Sequence, residues 1–210
     1  MAAFASRETF KGISLSPLVT SASSPQICRS VGADAHDDFI NNHPLVKKLR
    51  TQAGFLESRP YSGALWDSQT QNLISGTLIG PGKVETAPYA WTEAEGKSYV
   101  QICYIGPRLC GYPGVTHGGF LATLLDECFL RCCLAAVPHT VMMTANLDIN
   151  YKAPTRARQY IVVRVNVTKL EGRKAWLEGQ IQTLDAVGET PTVLVTASTL
   201  FISPSNTVVK

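Results

Sequence analysis

Thr116-His117-Gly118-Gly119-Phe120-Leu121-Ala122-Thr123-Leu124-Leu125-Asp126-Glu127-Cys128-Phe129-Leu130 reads as a helix opened by two glycines, with almost no polar face of its own. A helix that is apolar nearly all round must be wrapped by other structure. Its first N–H groups have no acceptor inside the helix and carry the positive end of the helix dipole, so they suit an oxygen that is becoming negative. His117, Gly118 and Gly119 are therefore candidate site residues, with Gly118 and Gly119 as amide donors.

Asp126 is the second candidate, because a carboxylate among Leu124, Leu125, Cys128 and Phe129 is costly to bury unless something pairs or uses it. It suits a general base or a nucleophile. At 1.5 Å of rise per residue, Gly118 and Asp126 of one chain lie roughly 12 Å apart, too far to act on one carbonyl. Two antiparallel copies of the helix would bring the glycines of one subunit to the aspartate of the other. The spacing thus predicts a homodimer with two shared sites; pairing of dimers into a tetramer is left open.

Working outward, the clearest alternation follows the helix. Val141, Met143, Ala145, Leu147, Ile149 and Tyr151 fall on one side of a predicted strand, and Thr144, Asn146, Asp148, Asn150 and Lys152 on the other. Ile161, Val163, Val165 and Val167 repeat the pattern, Glu171-Gly172-Arg173 makes a turn, and Ala175, Leu177 and Ile181 return. Val193 to Ile202 supplies a last strand. Before the helix, Leu73 to Leu78 and Ser98 to Ile105 read as strands, separated by turns at Gly80-Pro81-Gly82 and Glu95-Gly96. Pro44, at a favoured first helical position, starts a short covering helix through Leu45, Val46 and Leu49. One long helix followed by consecutive antiparallel strands is α+β order, a sheet around a helix.

The 210 residues, 45% of them hydrophobic, make one sizeable core: a single domain over residues 36–210 behind an extension over 1–35. Residues 1 to about 33 of that extension are rich in serine and carry Arg7, Lys11 and Arg29 against the acid Glu8, which is the composition of a mitochondrial transit peptide; a plain tail on a cytoplasmic protein is the alternative. The net charge of +3 and the lack of a basic, aromatic-interleaved cluster give no support to nucleic acid as a partner. No run reaches the roughly 18 apolar residues of a membrane span. The six cysteines have neither zinc-site spacing nor the density of a disulfide scaffold, so core packing is expected of them and no metal or other cofactor is.

Taken together, His117-Gly118-Gly119 with Asp126, the run Met143-Thr144-Ala145-Asn146-Leu147-Asp148-Ile149-Asn150-Tyr151-Lys152, Glu171-Gly172-Arg173-Lys174 and Leu200-Phe201-Ile202 resemble the hotdog-fold thioesterases. Within these the likeness is to the mammalian mitochondrial acyl-CoA thioesterases, and it covers about residues 97 to 203. The resemblance implies a curved antiparallel sheet wrapped around a central helix. It also implies an enzyme that hydrolyses acyl thioesters, with a fatty acyl-CoA as substrate.

By position, it makes the Gly118 amide, with Gly119, the polariser of the thioester carbonyl and Asp126 of the facing subunit the base or nucleophile. Thr144 would hold the carboxylate or the water, and His117 would support the loop. Some relatives carry an asparagine six residues before that histidine, where this chain has Gly111. Lys152, Arg156 and Arg158 suit the phosphates of coenzyme A, since Lys and Arg pair strongly with phosphate; a solvated basic turn is the plainer account.

Each residue also has an ordinary structural reading: glycines for close packing, a buried structural acid, a common strand threonine. Release of a polyketide or other acyl chain from a carrier protein, dehydration by His117, and acyl-CoA binding without turnover are the alternative functions.

Overall fold

In a computed structural model of the chain, residues 31–62, 72–138, 141–185 and 188–205 are described. The predicted central helix is α3, Gly118–Ala136, whose side chains Phe120, Leu121, Leu124, Leu125, Cys128, Phe129, Cys132 and Cys133 are buried. Adjacent pairs recurring every four residues put one broad stripe against the core. The other helices are α1, Val31–Asn42, and α2, Pro44–Thr51.

The strands are β1 (Phe55–Ser58), β2 (Tyr89–Glu93), β3 (Ser98–Ile105), the short β4 (Cys110–Tyr112) and β5 (Val115–Thr116), then β6 (Met143–Tyr151), β7 (Gln159–Glu171), β8 (Lys174–Thr183) and β9 (Val193–Ile202). Seven of them form one sheet in the order β1-β2-β3-β7-β8-β9-β6, with every neighbouring pair antiparallel. The helix α3 packs against β3, β6, β7, β8 and β9. This is the expected α+β hotdog arrangement, and β6 and β1 are its edges.

The sheet is covered by α3 on one face and, over β2, β3 and the start of β7, by α1 and α2 on the other. On the α3 side lie Ile161, Val163, Val165, Ala175, Leu177, Ile181, Val195, Ala197 and Phe201. On the far side Ile40 of α1 and Val46 and Leu49 of α2 pack on Tyr89, Trp91, Val100, Ile102 and Val162. Each such apolar side chain contributes about 1.5–3 kcal/mol when fully buried. The covering helix expected from Pro44 is therefore there, and α1, which precedes it, was not foreseen. It begins at Val31, inside the stretch assigned to the extension; residues 1–30 lie outside those described. Asp37 of α1 accepts from Arg59 and from Thr86 at 2.8 Å each, tying the helix to the body.

Leu73–Leu78 is not the expected strand but a π-helical turn. Asn72 explains it: its side-chain oxygen accepts from the N–H groups of Ile74 and Ser75, offering the backbone a cap in place of a ladder. The alternation expected in β6 is broken as well. Thr144 is paired with Phe201 and Asn146 with Leu200, which leaves Ala145 as the extra residue of a bulge. From Thr144 to Tyr151 is seven residues, but the paired positions on β9, Phe201 to Val195, are six apart. Thr144 and Tyr151, predicted on opposite sides, consequently both face α3, and Met143 is displaced to the far face and stands 55% exposed.

A candidate active site at the ends of the central helix and its edge strand

His117 caps α3 with its own ring: its backbone is extended and Nδ1 accepts from the Gly119 N–H at 2.9 Å. That bond uses the Gly119 amide, so Gly118 carries the N–H of this turn left without an acceptor among the described residues. The loop in front of it is stitched to the β6–β7 turn. Thr116 N–H donates to the Thr155 carbonyl at 2.8 Å, Ala157 N–H to Gly114 at 2.9 Å, and His117 N–H to Leu109 at 2.8 Å.

Two glycines here are dictated by close approach. A Cβ on Gly118 would stand 3.2 Å from the Tyr151 ring, and one on Gly111 would stand 2.9 Å from Cδ2 of His117. The asparagine of some relatives has no room at 111 while His117 keeps this position.

Asp126 is not among the buried residues of α3 but half-exposed. A step of about 100° per residue turns it away from Leu125 and Cys128, so the desolvation expected for it is not met in a single chain. Thr144 reaches it from β6, donating from Oγ1 to Oδ1 at 2.8 Å. Oδ2 has no partner among the described residues. Beside it Glu127 pairs with Arg131 at 3.0 Å, and the Arg131 guanidinium lies 4.5 Å over the Tyr61 ring.

The cysteines of α3 play no part: burial pushes the Cys132 thiol up to about 12 and Cys128 well above its ordinary value. They are neutral hydrophobes at physiological pH, as expected of them.

Of the eight sequence-predicted residues, His117, Gly118 and Gly119 share the helix start, while Asp126 and Thr144 meet two turns further on. Arg156 and Arg158 flank the His117 loop, with the Arg156 carbonyl accepting from Thr116 Oγ1 at 3.2 Å and the Arg158 N–H donating to Ile105 at 2.7 Å. Lys152 lies on the β9 side of the same turn, its N–H on the Leu194 carbonyl at 2.8 Å. All three side chains are exposed and none forms an ion pair among the described residues. Tyr151 was read as an apolar-face strand residue and not as a site residue; it touches the helix start, and the bulge brings Thr144 to the same side.

Residues 113–187 match the family described as the thioesterase superfamily. An uncharacterized protein of Schizosaccharomyces pombe is 30% identical over 162 residues, spanning 77% of this chain and 89% of that protein. This chain belongs to the thioesterase superfamily. The segment that defines membership contains His117, Gly118, Asp126, Thr144, Tyr151 and the three cations, so the site described is the family's own region of the chain.

Two further proteins are similar. The acyl-coenzyme A thioesterase THEM4 of Mus musculus is 38% identical over 106 residues, 50% of this chain and 43% of that enzyme. The uncharacterized mitochondrial membrane protein FMP10 of Saccharomyces cerevisiae is 30% identical over 144 residues, 68% of this chain and 56% of that protein. This thioesterase-superfamily chain thus spans about half the length of each of these two.

Proposed function

We propose that this chain hydrolyses fatty acyl-CoA to the free acid and coenzyme A, working in mitochondria as a homodimer with two shared sites. The observation that carries the reading is the pairing of a free Gly118 amide with a carboxylate, Asp126, that Thr144 holds and that has an open oxygen. In the reaction Asp126 takes a proton from water whose oxygen attacks the thioester carbon. The carbonyl oxygen becomes negative against the Gly118 N–H, the C–S bond breaks, and the thiolate takes the proton back from Asp126 as the free acid forms. In the nucleophilic variant Asp126 attacks the carbon itself, the thiolate leaves and takes a proton from water, and the resulting hydroxide opens the acyl-aspartyl anhydride to the free acid and Asp126.

Geometry supports the dimer. The roughly 12 Å along α3 between Gly118 and Asp126 exceeds the reach of one carbonyl, and apolar side chains stand open at the helix start and on its later turns: Tyr151 is 54% and Leu134 38% exposed. Lys152, Arg156 and Arg158, exposed and without carboxylate partners, suit the phosphates of the coenzyme. Similarity to THEM4, which is named an acyl-coenzyme A thioesterase, supports acyl-CoA as the substrate, and similarity to the mitochondrial FMP10 together with the serine-rich extension supports the mitochondrion.

The test is free-thiol release from short, medium and long acyl-CoAs by the full chain and by Asp126→Asn. Release by the parent and a loss of at least a hundredfold in the variant are expected. Tight acyl-CoA binding with no release would replace the enzyme by a binding protein, and release only from an acyl carrier protein would replace the substrate.

A further inference from the structure

Tyr151 ends β6 with its ring across the first turn of α3. Its Oη donates to the Gly118 carbonyl at 2.8 Å. The peptide that owns this carbonyl also owns the Gly119 N–H, which donates to His117 Nδ1 at 2.9 Å. Phenol, peptide and imidazole thus form one chain, in which each bond polarises the next. Because Nδ1 accepts, the proton of the neutral ring sits on Nε2.

The bond to Gly118 does not rescue an orphaned group, since carbonyls of a helix's first turn already accept within the helix. Nor does burial within its own chain hold the tyrosine in place, for the residue is 54% exposed there. What it touches is the helix start itself, and Gly118 has no Cβ to keep the ring away: one would stand 3.2 Å from Tyr151 Cζ and Oη.

We propose that Tyr151 is a positioning residue for the oxyanion-stabilising amide. By anchoring the Gly118 carbonyl on one side and, through the Gly119 N–H, the His117 ring on the other, it fixes the His117–Gly118 peptide so that its N–H meets the substrate oxygen. Thr144 does the same for Asp126 from the same strand, so β6 aligns both halves of the chemistry. This inference rests on the thioester-hydrolase reading of the site.

The test uses the full chain and Tyr151→Phe, which keeps the ring and removes the donor. Expected are a fall in kcat of about tenfold on the acyl-CoA the parent hydrolyses best, an unchanged KM, and an unchanged melting temperature and oligomeric mass. A displaced Gly119 amide resonance and a loss of the single Nε2–H form of His117 in nitrogen-15 NMR should accompany them. An unchanged kcat, or a rise in KM at constant kcat, overturns the proposal.

So does a His117 and Gly119 signature identical in parent and variant. Those signals are read without substrate: a parent inactive on every thioester would sink the functional reading, while the NMR would still decide the tether. Should Tyr151→Phe not fold, 3-fluorotyrosine at 151, a stronger donor of nearly the same shape, must move the Gly119 resonance; no movement overturns the proposal equally.

Discussion

The side chains that decide this site are those that a step of one residue takes off the core. Leu125 and Cys128 are buried and Asp126, one step round the helix, is not. The carboxylate was readable from its apolar neighbours, but its orientation follows from where the sheet lies, which those neighbours do not record. Thr144→Ala should lower kcat by about tenfold, because a hydrogen bond to a charged group is lost, with little change in the KM for acyl-CoA; steady-state kinetics decide.

Gly111 was noticed as a departure from relatives, and its reason, the 2.9 Å approach to the His117 ring, belongs to the folded loop. Restoring the relatives' residue with Gly111→Asn should therefore not improve catalysis. It should displace His117 and its helix cap, costing about 0.5–2 kcal/mol in thermal unfolding.

Among the elements, those with a clean period were legible: α3 from its apolar run, and β7, β8 and β9 from alternation and the Gly172 turn. Leu73–Leu78 was misread because a cap from Asn72 outcompetes strand propensity, and α1 was missed because its burial depends on the far face of a sheet laid down by β2, β3 and β7. The two covers have separable energetics. Ile40→Ala, in the layer away from the site, should cost about 2–5 kcal/mol of stability by denaturant melts, while the activity of the folded fraction is kept.

On the other face the thiols answer to pH. Buried Cys103 holds its proton to about 12, whereas an unfolded thiol ionises near 8.5. The raised folded value means that this stabilisation is complete below about pH 8.5 and is lost as pH rises from there. Denaturant midpoints should fall over that alkaline range, and Cys103, Cys128, Cys132 and Cys133 should resist a thiol reagent in the native protein yet react once it is unfolded.

At the scale of the molecule, the proposed shared site would make assembly a condition of activity, because Gly118 and Asp126 of one chain stand roughly 12 Å apart along α3. Leu134, on the open flank of α3, is placed to test this: Leu134→Arg should give a monomer in sedimentation that has lost thiol release. A fully active monomer would refute the shared site. The proposed second copy is argued from residue spacing alone, since helical rise is a constant. The parity of β6 beyond the bulge was legible too, since Leu147, Ile149 and Tyr151 meet the helix side as their alternation predicts, but the swap of Met143 and Thr144 before it was not.

The bulge at Ala145, with Thr199 Oγ1 holding the neighbouring Asn146 carbonyl at 2.6 Å, means that β6 holds one residue more than its track along β9 requires. Tolerance to deletion should therefore be confined to one spot. Removing Ala145 leaves Thr144 opposite Phe201 and Tyr151 opposite Val195 in an unbroken ladder, whereas removing Asp148 either keeps the bulge and turns Tyr151 away from the helix or closes it and turns Leu147 off the core. A one-residue deletion scan of 143–151 should find a single survivor of near-parental turnover, at 145, so that length along this strand is constrained more tightly than composition.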